Sequence, residues 1–392
     1  MARYRTILDC YTDEPAGLGV PPFLGVWPRY AAGQYKDTPA YITIDDLRLA
    51  ARSGKTKIDP PAGKTKTQFL NHTKEPAEVQ DVLEKTDQLT VIVGVQTPGK
   101  YLSARPGTLK EVKKLLRPYK FRKILTGPVV SCGSQSRGGA RAELAESEDF
   151  DHIRQIDFAS YQQLQPMALA GADILTRIPQ RRVVEIETGR GCSRRQGCSF
   201  CTEPLKHSFQ WRKPGHIIEE VAELTQKGAK YFRLGKQSCI YSYYNGSAEK
   251  LRQLLTGLSR LDPQVLHMDN ANPAMGDDEK TALFAEHLTA GSTAAMGIES
   301  FDPEVARLNN LNCTPESAMK AIRTINRIGG WRDENGCHAI LPGINILLGL
   351  IGETPQTLDK NFDALKSILD EGLLVRRINI RQVVAFPGTA LH

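Results

Sequence analysis

An α/β protein of two successive domains is predicted by two observations along this 392-residue chain. Short apolar runs, several rich in Val and Ile, alternate with amphipathic stretches throughout, and a mixed polar segment leads from one half to the other near residue 180. Each half, at roughly 150 to 200 residues, is long enough to bury its own core. The divisions expected are a first domain at 1–150, a linker at 151–180 and a second domain at 181–392.

In the first half, strands are predicted at Tyr4 to Leu8, Ala40 to Ile44, Leu89 to Gln96 and Lys123 to Val130. The last two are Val/Ile-rich and bounded by turn formers. Helices are predicted near Pro76 to Glu84 and at Thr108 to Arg117, where charged and apolar residues interleave. That order suggests an open parallel sheet with helices on its faces. Ala50 to Lys74, rich in Lys, Gly and Thr, reads as an exposed excursion. Loops follow the strands at Asp13 to Gly19, Gln96 to Gly99 and Thr126 to Gly133. In doubly wound sheets the carboxyl ends of strands are where ligands sit.

The second half opens with a strand at Val183 to Glu187. Further strands are predicted at Lys230 to Leu234, Gln264 to Met268, Thr293 to Ile298, Gly343 to Leu350 and Arg377 to Val384. Helical patterns at Ile217 to Lys227, Glu249 to Gly257, Glu279 to Ala290, Pro315 to Arg327 and Thr357 to Glu371 lie between them. Six such units are too few for a closed eight-unit barrel but enough for an open one.

No run approaches the roughly 20 apolar residues that cross a bilayer, and no signal-peptide pattern opens the chain, so a cytoplasmic protein is expected. The net charge of +7 permits an anionic cofactor or partner; it does not demand nucleic acid, which is not expected as a partner. Eight cysteines are too few for a disulfide scaffold. Three of them, Cys192, Cys198 and Cys201, fall within ten residues, spaced C-x5-C-x2-C, after the first strand of the second half. Three thiolates can hold three corners of a [4Fe-4S] cube and leave the fourth iron open for a chelating amino acid. A structural zinc site would normally need a fourth protein ligand, for which His207 is the nearest competitor. Cys10, Cys132, Cys239, Cys313 and Cys337 are isolated and read as small buried hydrophobes.

The cysteine run and its flanks, Glu185 to Cys192 and Cys198 to Glu203, resemble the cluster loop of the radical S-adenosylmethionine (SAM) superfamily. The family spacing is usually C-x3-C-x2-C, so this chain carries two extra residues between the first pair. Met296 to Ser300, Asn345 to Thr354 and Gln382 to Thr389 are similar to family segments ending the fourth, fifth and sixth strands. The resemblance implies a partial (β/α)6 barrel. It also implies SAM contacts from Phe200, Glu299, Ser300, Gly349 and Gly352, with Glu353 organising the turn. Where the family often has Gly-Gly-Glu to hold the methionine amine, this chain has Arg233-Leu-Gly-Lys-Gln-Ser238, which leaves Gly235 and Gln237 as candidates. Arg194 and Arg195 could counter the negative charge of cluster or SAM.

The first half looks like the Rossmann-like cobalamin-binding domain that precedes such cores. It lacks the D-x-H-x-x-G element that supplies a lower cobalt ligand, and His72 has no such context. Corrin contacts are then implied at Gln96, Thr97, Thr126, Gly127, Ser131 and Gly133. Taken together, the chain resembles cobalamin-dependent radical SAM methyltransferases. Members cleave SAM to a 5'-deoxyadenosyl radical, abstract hydrogen from an unactivated sp3 carbon and methylate it from methylcobalamin, drawing on an electron donor. Leu8 to Pro22 and Phe232 to Tyr243 resemble the archaeal enzymes that C-methylate a glutamine in the alpha subunit of methyl-coenzyme M reductase, with the alpha carbon as the expected acceptor. This implies a protein or peptide substrate and a place in methanogenesis. Tyr241 and Tyr243 are candidate catalytic residues, with half-buried packing as their ordinary alternative. Two rivals stay open: a methylthiotransferase or other RNA-modifying enzyme, although no second tight cysteine triad is visible, and a non-catalytic iron–sulfur or zinc adaptor.

Overall fold

The computed structural model describes residues 4–12, 23–52, 72–95, 104–156, 158, 160–179 and 182–392. The chain forms two compact units. The first contains Met1–Arg137, Ala142–Val184 and Glu223–Ala229, and the second Gly138–Arg141, Glu185–Ala222 and Lys230–His392. The loops expected at Asp13 to Gly19 and Gln96 to Gly99, with Gln96 and Thr97, and most of the excursion after Ala50, lie outside the described residues.

In the first unit, strands β1 (Tyr4–Asp9), β2 (Ala40–Thr43), β3 (Thr86–Ile92), β4 (Arg122–Thr126) and β5 (His152–Ile153) form one sheet in the order β2-β1-β3-β4-β5. Every pairing is parallel. Successive side chains point to opposite faces, and both faces are buried. Leu8, Ile42, Leu89 and Val91 pack with Leu47, Val79, Leu83 and Val112 on one side. Ile7, Tyr41 and Ile92 pack with Val26, Tyr30, Leu164 and Ala168 on the other. This is the doubly wound arrangement, in which the strand order reverses between β1 and β3.

Two strands differ from the sequence reading for identifiable reasons. The third begins earlier and ends at Ile92 because its pairing runs from Tyr4 opposite Thr86 to Asp9 opposite Ile92. The fourth stops at Thr126, where Gly127 takes a φ of 96° and Pro128 leads into a helical turn, Val129–Cys132. Residues 151–180, expected as a linker, carry the helix Tyr161–Ala170, started by the Ser160 hydroxyl accepting from Gln163 N. Its Tyr161, Leu164 and Ala168 are buried in the first unit's core.

The second unit supplies β6 (Val183–Glu187), which begins at the boundary, then β7 (Gly189–Arg190), β8 (Gln210–Trp211), β9 (Tyr231–Gly235), β10 (Val265–Met268), β11 (Asn270–Ala271), β12 (Ser292–Glu299), β13 (Ile340–Leu348) and β14 (Arg377–Gln382). The sheets run β10-β9-β6 and β11-β12-β13-β14, and the chain passes from one to the other through Asp269 alone. Counting β10 and β11 as one position gives the six strand positions of an open barrel. Helices fall between them at Pro214–Gln226, Ala248–Ser259, Asp278–His287, Pro315–Gly329 and Pro355–Asp370, as the periodicity predicts. Two start at Thr-Pro: Thr314 caps Ser317 N, and proline at the first turn needs no amide partner. Among the described residues no helix is long and apolar enough to cross a membrane.

One buried ion pair ties β8 to the helix after it. Arg212 Nη1 donates to Glu220 Oε2 at 2.5 Å and to the Glu187 carbonyl at 3.1 Å, with both side chains fully buried. Removing one partner strands the other charge in the interior. Glu220→Ala is therefore expected to lower unfolding free energy by about 3–5 kcal/mol in urea titrations, with Glu220→Gln costing less.

Candidate functional site

At the carboxyl ends of the second unit's strands lies a cavity of about 260 Å³. Cys192, Cys198 and Cys201 all line it, together with Phe200, Gln237 and Glu299. The sequence reading missed Lys236, Asn270, Asn272, Asn312 and Asn345, which line it too. The signal was available in part: Asn345 opens the Asn345 to Thr354 segment, and Lys236 sits where the family carries its Gly-Gly-Glu. Nothing in composition distinguishes a strand-end asparagine that faces a cavity from one in a surface turn.

The cysteine loop is irregular, and its polar backbone is held by neighbours. Asn309, fully buried, accepts from Ser199 Oγ at 2.6 Å and from Ile351 N at 3.1 Å, and its Nδ2 donates to the carbonyls of Val305 and Ile351. Asn310 donates to the carbonyls of Gln196 and Gly197, each at 3.0 Å. Glu203 accepts from Gly191 N at 3.3 Å, and the ribbon β7–β8 closes the base of the loop. Cys198 and Phe200 pack on Val305, Leu311 and Leu350.

Cys192, Cys198 and Cys201 border one cavity, and among the described residues no group of three His, Cys, Asp or Glu side chains is arranged to hold a single metal ion. Burial pushes the Cys198 thiol up to about 11 and the Cys201 thiol up to about 12. Uptake of iron would replace those protons. Arg194 sits against the sulfurs, its backbone N donating to Cys192 Sγ and its Nη1 to Cys198 Sγ, each at 3.5 Å. Arg195 is exposed.

Two cavity residues are held in left-handed backbone, Lys236 at φ 68° and Glu299 at φ 66°. Glu299 follows a register shift in the β12–β13 pairing, a bulge that turns its carboxyl inward. Burial raises that carboxyl to about 8, with Arg381 opposing, and lowers the Lys236 ammonium to about 8, with Asp269 opposing. Gln237 is buried, and the Thr188 hydroxyl donates to its Oε1. Gln237 lines the cavity, and its Nε2 is buried with no hydrogen-bond partner among the described residues. Asn312 Oδ1 is likewise an unmatched buried acceptor.

The other candidates lie elsewhere. Gly235 stands behind the cavity, where a Cβ would come within 1.8 Å of Glu185 Oε1; Glu185 pairs with Arg233 at 2.7 Å. Ser300 is buried and accepts from Asp302 N. Gly349 (φ 91°) and Gly352 (φ 79°) shape the turn after β13, and Glu353 accepts from the Gly349 and Leu350 amides. Tyr241 and Tyr243 are buried away from the cavity, their hydroxyls bonded to Thr281 and to the Arg212 carbonyl, so their surroundings display the packing alternative. Cys337 is exposed rather than buried, because it sits on the turn around Asp333, whose carboxylate accepts from its amide. Cys239 lines the cavity and accepts from Asn272 N.

In the first unit, Thr126 and Ser134 are buried with hydroxyls that have no partner among the described residues. Gly127 lies so close to Val93 that a Cβ would approach its carbonyl oxygen to 2.7 Å, and Gly133 packs against Glu143. Ser131 is exposed and bonded by Gln155.

Two outcomes follow. Gly235→Ala is expected to push Glu185 off Arg233 and to cost about 1–3 kcal/mol, read as a lower melting temperature. Glu299 has a folded pKa above its unfolded value, so its contribution is complete below about pH 4.5 and lost as pH rises through about 8. Denaturant titrations of iron-free protein at pH 5 and pH 9 are expected to show a loss across that window which Glu299→Gln reduces.

Residues 186–365 match the radical SAM superfamily. Among solved structures, the radical SAM methyltransferase TsrM from Kitasatospora setae, with tryptophan and a SAM analogue bound, aligns with all of this chain and 75% of its own at TM-score 0.61 and 14% identity. The cobalamin-dependent SAM radical enzyme OxsB aligns with 93% of this chain and 52% of its own at TM-score 0.55 and 13% identity. At such identities the likeness is one of fold. A protein of Archaeoglobus fulgidus is 35% identical over 98% of this chain and 72% of its own. The protein MJ0274 of Methanocaldococcus jannaschii is 39% identical over 98% of this chain and 74% of its own. The chain thus belongs to the family of that Methanocaldococcus protein and carries a radical SAM domain at residues 186–365.

Proposed function

We propose that the protein is a cobalamin-dependent radical SAM C-methyltransferase acting on a protein or peptide, with a glutamine of the methyl-coenzyme M reductase alpha subunit as the first acceptor to try. The observation that carries the reading is the meeting of Cys192, Cys198 and Cys201 in one cavity with the unmatched Gln237 Nε2. Support for the cobalamin half comes from the parallel sheet of the first unit, where Thr126 and Ser134 keep unmatched hydroxyls at and after the end of β4. The fold shared with TsrM and OxsB points the same way.

When bound, a [4Fe-4S] cluster would supply the electron that cleaves SAM, and cobalamin the methyl group. The chain's own residues would bind and orient. The three cysteines would hold three irons. Gln237 and Asn312, each with an unmatched buried polar atom, would turn these toward the ligand, Nε2 to donate to an acceptor oxygen and Oδ1 to accept from a donor such as an amine. Lys236 and the neutral Glu299 would recognise a carboxylate, by charge and by hydrogen bond respectively. Phe200 lends an apolar wall, which helps keep water from the reacting atoms.

The test is anaerobic incubation of reconstituted protein with cobalamin, a low-potential electron donor, deuterated-methyl SAM and candidate peptides, followed by mass spectrometry. Label on a glutamine carbon is the expected result. Label confined to RNA would move the target, and reconstituted protein that binds iron without cleaving SAM would sink the enzymatic reading. Cys192→Ala, Cys198→Ala and Cys201→Ala are each expected to abolish SAM cleavage.

A further inference from the structure

Arg194 bridges two things at once. Its Nη1 donates to Cys198 Sγ at 3.5 Å, and its Nη2 donates to Asn310 Oδ1 at 2.7 Å. Asn310 in turn is fixed by its other end, Nδ2, to the carbonyls of Gln196 and Gly197, directly before Cys198. Its φ of 47° is left-handed, a conformation that asparagine tolerates better than most side chains. The dipeptide Asn309-Asn310 therefore grips the loop on both sides of Cys198, at Gln196 and Gly197 before it and at Ser199 after it. An arginine side chain left to itself would be spread over many rotamers. Here one guanidinium edge is tied down, so the other is held at the sulfur.

We propose that Asn310 is a positioning residue that holds the Arg194 guanidinium on the Cys198 sulfur, and that this pair raises the reduction potential of the cluster carried by the three cysteines. The inference rests on the functional reading above. A hydrogen bond and a positive charge at a ligating sulfur favour the reduced cluster, which carries one more negative charge, and so raise its potential. Arg195 next door is exposed and shares the formal charge without the contact, which separates placement from net charge.

Anaerobic redox titration of the reconstituted cluster, followed by electron paramagnetic resonance, reads the effect directly. Arg194→Gln is expected to lower the reduced-to-oxidised ratio at a fixed poise by roughly tenfold, about 59 mV for a one-electron couple. Asn310→Gly, which keeps the left-handed backbone without strain, is expected to shift the same way. The double variant should go no further than Arg194→Gln alone, and Arg195→Gln should stay near the parent. A parent-like potential in Asn310→Gly, additive shifts in the double variant, or an equal shift in Arg195→Gln would each overturn the proposal. Should Asn310→Gly fail to take up iron, Arg194→Lys decides. A lysine keeps the charge but cannot reach sulfur and Asn310 from two nitrogens, so a parent-like potential there also overturns it. Parent protein that binds no cluster defeats the functional reading itself, whereas a cluster indifferent to these substitutions defeats only this inference.

Discussion

The constraint on which the second unit turns is that an irregular loop must hold three half-buried cysteines around one cavity. Regular structure satisfies its own backbone; the segment from Gly191 to Cys201 does so only in part, as where Cys201 N donates to the Cys198 carbonyl, and other polar groups find partners outside it. Asn309 answers part of that need. It is fully buried and uses both amide atoms, joining Ser199 of the cysteine loop to Ile351 of the turn after β13 and to the end of its own helix, Pro303–Leu308. A fully satisfied buried amide rigidifies what it joins. The cysteine loop and the β13 turn are thereby coupled through a side chain that lines neither the cavity nor the sulfurs.

The same economy explains where strain is tolerated. Lys236 and Glu299, both non-glycine and both left-handed, stand just after β9 and at the end of β12, and both line the cavity. Such backbone costs of order 1–3 kcal/mol per residue and persists only where surrounding packing enforces it. For Glu299 the enforcement is visible. The bulge in β12 is pinned by its continued pairing with β13, so the carboxyl is presented to the cavity while Ser300, one residue on, turns away to accept from Asp302 N.

Much of the fold was legible because hydrophobic periodicity and strand-end position are local properties. The five helices of the second unit and the cysteine triad were read from spacing alone, and Gln237 and Glu299 reached the cavity from positions that family likeness suggested. What escaped detection depends on long-range neighbours. The fourth strand was drawn too long because Val129 and Val130 look like strand until Gly127 is seen to turn the chain. The helix Tyr161–Ala170 was hidden by Pro166 within it, yet its apolar face is needed to cover Ile7 and Tyr41. Tyr241 and Tyr243 carry suggestive hydroxyls in sequence, but Thr281 and the Arg212 carbonyl, 40 and 31 residues away, claim them.

Charge in the cavity is governed by burial. With Glu299 held up to about 8, that carboxyl is neutral near pH 7, while Lys236, brought down only to about 8, remains mostly cationic there. Glu203, the other acid on the cavity wall, is held below the usual carboxylate range despite its burial, through Lys206 first and the Gly191 amide among the rest, and its charge is spent on Lys206 at 2.5 Å. Arg194 adds a second cation beside the sulfurs. The cavity is therefore biased toward positive potential at this point, surrounded by amides that can donate or accept without charge of their own. Three cysteines that give up protons on taking iron would bring negative charge to that place, and so would the carboxylate of an amino acid. A site with Glu299 protonated, Glu203 already neutralised by Lys206 and its other cations kept is suited to receive both.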